Sequence, residues 1–133
     1  ENGTIVIAGG GGGIPVYLDK DGNLDGVDAV IDKDLGSAVI ASEIGAGILC
    51  ILTSVDCVSL DFGKPEQREL RRCTLSEIKE HQADGQFPAG SMGPKIEAAI
   101  QFLEDGGEMV TITSFENAAR AVYGEAGTTI VPN

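Results

Sequence analysis

Four short aliphatic runs constrain the architecture more than any other feature of this chain. They lie at residues 4–8, 48–52, 109–113 and 128–131, and each is rich in β-branched or Leu side chains. The first two are continuous and do not alternate with polar residues, the pattern of strands buried on both faces of a parallel sheet. Helical patterns lie between the runs. Leu35, Val39, Ile40 and Ile44 recur near 3.6-residue spacing and predict a helix over about 35–44, stopped by Gly45 and Gly47. Thr74-Leu75-Ser76-Glu77 has the form of a capping box and predicts a helix over 75–83. Gly93-Pro94 opens a further helix to about Glu104, with Ile96, Ala99, Ile100 and Leu103 on its buried face. Ser114 is placed to cap a short helix ending near Tyr123. Pro15 limits residues 16–18 to an edge strand, and residues 19–23 have the composition of a turn. Strands alternating with helices predict an α/β fold: one domain over 1–133, a three-layer α/β/α sandwich around a mostly parallel sheet.

Composition narrows the partners. Nine basic against 21 acidic residues give a net charge of -12, the wrong sign for nucleic acid or for an anionic membrane surface. No apolar run approaches the roughly 18 residues that span a bilayer. The three cysteines, Cys50, Cys57 and Cys73, show no metal-ligand spacing, and an odd count suits reduced thiols in a cytoplasmic protein. His81 is the sole histidine, which excludes multi-histidine metal sites and Ser–His triads. The opening Glu1-Asn2-Gly3 has no signal-peptide character and lacks Met, as expected of a trimmed end. An anionic small ligand remains compatible with this charge, provided a few lysines and backbone N–H groups reverse the potential locally.

Those lysines can be named. Gly9, Gly10, Gly11, Gly12 and Gly13 follow the first aliphatic run, so the loop falls at the carboxyl edge of the expected sheet, where α/β proteins bind ligands. Glycine N–H groups can approach an anion closely. Ile14 breaks the dinucleotide pattern, and Gly13-Ile14-Pro15 breaks the P-loop pattern, so a phosphate cradle of another kind or a plain turn remain. Lys33 falls at a helix start, the end that disfavours a cation, whereas Asp34 beside it suits the dipole. Lys95 repeats the pattern at a second helix start. A helix N-terminus with a lysine is a strong phosphate site, and Asp34 could hold both ammonium groups; the alternative is a solvated turn. Thr53, Ser54 and Asp56 follow the second run and either contact a ligand or form a turn. Phe62 is a base-stacking candidate or a core residue.

Four blocks then become recognisable: residues 10–16, 30–35, 62–65 and 90–99. In order and spacing they resemble the carbamate kinases of the amino acid kinase fold family. The resemblance implies reversible phosphoryl transfer between carbamoyl phosphate and ADP, giving carbamate and ATP, with Mg²⁺. It implies that Lys33, Asp34 and Lys95 are catalytic and that Gly9–Gly13 lie near the carbamoyl phosphate. Thr53, Ser54, Asp56, Phe62, Met92 and Gly93 would line the nucleotide side. It further implies a homodimer in the full-length form. Family members are longer, and their N-terminal half carries a second glycine-rich phosphate loop and another lysine-bearing region that this sequence does not contain. Ser54 also stands where relatives often have Gly or Asp. A non-catalytic nucleotide-binding module, or a subunit that needs a separate N-terminal half, is the alternative.

Overall fold

A computed structural model describes residues 3–133. Its first ordered unit is a hairpin of β1 (Val16–Leu18) and β2 (Leu24–Gly26). The Asp19 carboxylate closes it by accepting the N–H groups of Asp21 and Asn23, each at 2.8 Å. Then come α1 (Lys33–Glu43), β3 (Ile48–Thr53), and a second hairpin of β4 (Val58–Leu60) and β5 (Arg68–Leu70). After these are β6 (Arg72–Thr74), α2 (Leu75–Ala83), α3 (Met92–Glu104) and β7 (Met109–Ser114). A 3₁₀ turn (Phe115–Asn117), α4 (Ala118–Ala121) and β8 (Thr128–Val131) complete the order.

The main sheet runs β3-β7-β8-β6. β3 is parallel to β7 and β6 is parallel to β8, while β7 and β8 are antiparallel. The fold is thus the α/β class expected, with a sheet that is mixed. Leu49, Ile51, Val110, Ile112 and Ile130 join Ala38 and Ala41 of α1 and Ile96, Ala99, Phe102 and Leu103 of α3 in one aliphatic cluster. Ala121 of α4 is fully buried outside that cluster, and α4 packs against β7 and β3. Full burial of a side chain the size of Phe102 contributes about 1.5–3 kcal/mol, so α3 is the main anchor of the helical layer.

Three expectations are corrected. The run at 4–8 forms no strand: Ile5 is 91% and Ile7 98% exposed. A strand buried on both faces needs a neighbouring strand and two covering layers, and none of the described elements supplies them to this run. The apolar stripe of α1 meets the core only at its start, where Leu35 packs on the cluster. Val39, Ile40 and Ile44 are exposed, and the buried residues are Ala38 and Ala41. Small side chains let α1 approach α3 closely, while the larger ones have no described element to pack on. Lastly, β3 is buried on one face only, through Leu49 and Ile51. Its outer edge is unpaired among the described residues.

Local signals fared better. The Thr74–Glu77 capping box forms with both reciprocal hydrogen bonds. α3 begins at Met92, so Pro94 is the third helical residue and not the first, but it still sits where a missing N–H costs nothing. Ser114 gives no cap hydrogen bond; its hydroxyl accepts from the Asn117 amide instead.

Candidate functional site

The first turns of α1 and α3, the end of β3, the β4–β5 hairpin and the loop after α2 surround one cleft of about 610 Å³. Asp32 caps α1, its carboxylate accepting the Asp34 N–H at 2.7 Å, and this fixes the turn that carries Lys33 and Asp34. Asp34 Oδ2 accepts from Lys95 Nζ at 2.8 Å, and Lys33 Nζ lies 3.6 Å from the same oxygen. One carboxylate therefore gathers two ammonium groups from two helix starts. Asp34 and Lys95 are nearly buried, whereas the Lys33 side chain is 61% exposed and free to reach a ligand. The triad carries one net positive charge, and the N-terminal dipole of α1 adds to it. Asp32, Asp56 and Glu69 line the same cleft, so the positive potential is confined to the triad and the helix starts beside it.

The other wall is polar and braced. Thr53 ends β3, and Ser54 and Asp56 follow on the exit loop, all lining the cleft. The Asp56 carboxylate accepts from the Asn117 amide at 3.0 Å, and its carbonyl accepts from the Thr113 hydroxyl at 3.1 Å. Phe62 is not a core residue: it is 66% exposed and lines the cleft. It follows Asp61, whose φ of 50° is unusual for a residue with a side chain. The Asp61 carboxyl is held below its ordinary value, first by the hydrogen bond from Lys64 and then by that from Gln86.

Met92 lines the cleft and Gly93 does not. Gly93 has a different constraint: its N–H donates to the Pro88 carbonyl at 2.8 Å, and a Cβ there would sit 3.0 Å from that oxygen. Gly9–Gly13 do not line the cleft either. With no strand before them, they are not at a sheet edge; they pack along the start of α1. A Cβ on Gly12 would lie 2.6 Å from the Ile31 carbonyl, and one on Gly36 would lie 3.5 Å from the Gly13 nitrogen.

Sequence reasoning missed several lining residues, among them Gln67, Glu69, Gln86 and Phe87. Gln67 and Glu69 belong to a hairpin of three-residue strands, too short for a readable period. Gln86-Phe87-Pro88 does carry a signal, an apolar insert in a polar loop immediately before the block at 90–99.

A mixed sheet under helices, with two helix starts and their lysines meeting around one carboxylate in a cleft, defines an α/β protein with a charged cluster at its cleft. The chain belongs to the amino acid kinase family, whose model matches residues 1–114. It is 49% identical over 132 residues to the carbamate kinase of Thermoplasma volcanium, an alignment that takes in 99% of this chain and 43% of that protein. It is 51% identical over 131 residues to the carbamate kinase of Staphylococcus haemolyticus, taking in 98% of this chain and 42% of that protein. In structure it is similar to the Giardia lamblia carbamate kinase bound to AMP-PNP, with a TM-score of 0.85 and 44% identity. That match covers 92% of this chain and 43% of the Giardia chain. The chain therefore spans less than half the length of the relatives it matches.

Proposed function

We propose that the chain is the nucleotide-side, C-terminal part of a carbamate kinase-type phosphotransferase. The supporting observation is the single Asp34 carboxylate that gathers Lys33 and Lys95 at two helix starts. In the reaction, a β-phosphate oxygen of ADP attacks the phosphorus of carbamoyl phosphate. The bond from phosphorus to the carbamoyl oxygen breaks, and carbamate leaves with that electron pair. Phosphoryl transfer asks the protein mainly for positioning and for positive charge where negative charge moves.

In this reading Lys33 reaches the transferred phosphoryl group, Lys95 neutralises the phosphates from the α3 side, and Asp34 keeps the two ammonium groups apart and aimed. Thr53, Ser54, Asp56, Phe62 and Met92 flank the nucleotide, and Gly93 sets the approach of α3. Gly9–Gly13 stand beside α1 as one side of the carbamoyl phosphate cradle. Mg²⁺, which binds mainly through substrate phosphates with one or two carboxylates, would enter on the nucleotide phosphates. Because the relatives are more than twice as long, the isolated chain binds ADP weakly and forms little ATP.

Titration calorimetry with ADP and with ATP, which carries the transferred phosphoryl group, tests this. Lys33 is largely exposed, so Lys33→Ala keeps the fold while removing one charge-assisted hydrogen bond, worth about tenfold or more in affinity. ATP binding that is unchanged in Lys33→Ala, or robust ATP synthesis from carbamoyl phosphate by the 133-residue chain alone, would overturn the proposal.

A further inference from the structure

Two loops from distant parts of the chain meet at the rim of the cleft. Residues 61–64 follow β4, and residues 84–91 follow α2. Their meeting point is Gln86. Its Oε1 accepts the Asp61 N–H at 2.8 Å, and its Nε2 lies 3.5 Å from Asp61 Oδ1. Both ends of one amide thus engage both the main chain and the side chain of one residue.

Asp61 needs such a clamp. A left-handed φ is unfavourable for a residue with a Cβ and persists only where the surroundings hold it. Three further contacts converge there: Lys64 Nζ on the Asp61 carboxylate at 2.9 Å, the Lys64 N–H on the Asp61 carbonyl at 3.0 Å, and the Gln67 side chain on the Gly63 N–H at 2.9 Å. Of all these, only the Gln86 contact comes from outside the 61–67 segment. The residue that this bend aims is Phe62, an exposed flat ring on the cleft wall. An exposed ring beside a phosphate-binding triad is a platform for a planar heterocycle.

We infer that Gln86 is a positioning residue: its amide locks the bend at Asp61 and so sets Phe62 against the base of the bound nucleotide. This rests on the nucleotide reading above. It also makes a division of labour, in which Gln86 governs the base end of the ligand and Asp34, Lys33 and Lys95 the phosphate end.

The test compares ADP with pyrophosphate, which has the phosphates and no base. Gln86→Ala and Gln86→Met, the latter keeping the length and losing the amide, should each weaken ADP by about two- to tenfold, the worth of one neutral hydrogen bond. Pyrophosphate affinity should stay as in the parent chain. In the free protein, amide exchange at Asp61 should quicken in both variants while exchange in α3 is unchanged. Equal ADP affinity in parent and variants, or normal exchange at Asp61, overturns the clamp and leaves the nucleotide reading standing. An equal loss for ADP and pyrophosphate overturns the division of labour. Failure of the parent chain to bind ADP removes the nucleotide reading and this inference together.

Discussion

Replacing Asp34 by Ala removes the one acceptor that Lys95 has in the described structure. The two groups are 2.8 Å apart and each retains only 12% side-chain exposure. Breaking a fully buried pair costs about 3–5 kcal/mol, because a charge is left in a poor solvent, whereas an exposed pair is worth about 0–1 kcal/mol. At this exposure the expected loss is about 2–3 kcal/mol. Lys33 adds almost nothing, being mostly solvated and 3.6 Å away. For a small domain with a urea slope of about 1–3 kcal/mol/M, the unfolding midpoint should fall by about 1 M or more. Replacing both members, Asp34→Ala with Lys95→Met, should recover most of the loss, because no charge is then stranded. The four proteins form a double-mutant cycle whose coupling should exceed about 1 kcal/mol. A coupling below about 0.5 kcal/mol, or an Asp34→Ala midpoint equal to the parent's, would refute the view that this pair is desolvated and mutually dependent.

Two further outcomes follow from local geometry. The Glu77 carboxyl is held below its ordinary 4.5, first by the Thr74 N–H and then by the Thr74 hydroxyl. Its stabilising effect is therefore complete above about pH 4.5 and drains away as pH falls through the lower folded value; Glu77→Gln should flatten that part of the stability profile in acid titrations followed by circular dichroism. Gly127 adopts a φ of 80°, and a Cβ there would lie 2.7 Å from the Ile112 carbonyl oxygen. Gly127→Ala should cost about 1–3 kcal/mol in thermal melts, and an unshifted melting temperature would contradict the tight approach of the 124–127 turn to β7.

What could be read from sequence follows from how local each signal is. α2 and β8 have the bounds that the capping box and the β-branched run at 128–131 indicate, because both signals are complete within a few residues. β4, β5 and β6 have three residues each, too short for a readable period; β4 and β5 exist only as each other's hairpin partner, and β6 depends on a strand far along the chain, Thr129 standing opposite Arg72. The stripe of α1 misled because hydrophobicity favours Val39 and Ile40, whereas close helix packing selected Ala38 and Ala41. At the site, the gathering of Lys33, Asp34 and Lys95 was one of two readings open to the sequence, since a carboxylate beside two cations at unfavourable helix ends is a ready counter-charge. The placement of the glycines was not legible, because it assumed a strand at 4–8 that the structure lacks. Gln86 was beyond reach of any local pattern: its contact with Asp61 joins residues 25 apart in the chain.

The exposed run at Ile5–Ile7 and the open edge of β3 bear on how this chain behaves in bulk solution. An apolar β-branched stretch and an unpaired strand edge are both templates for association between copies. What opposes that is the net charge of -12, which gives two copies a net mutual repulsion. The barrier is colloidal, and it falls wherever that charge is neutralised or screened. Acidification toward the isoelectric point near 4.2 discharges it, and salt near 0.1 M shortens its reach to about 10 Å. Association should therefore rise with salt and on approach to the isoelectric point, the acid range in which the Glu77 cap also begins to lose its stabilising effect.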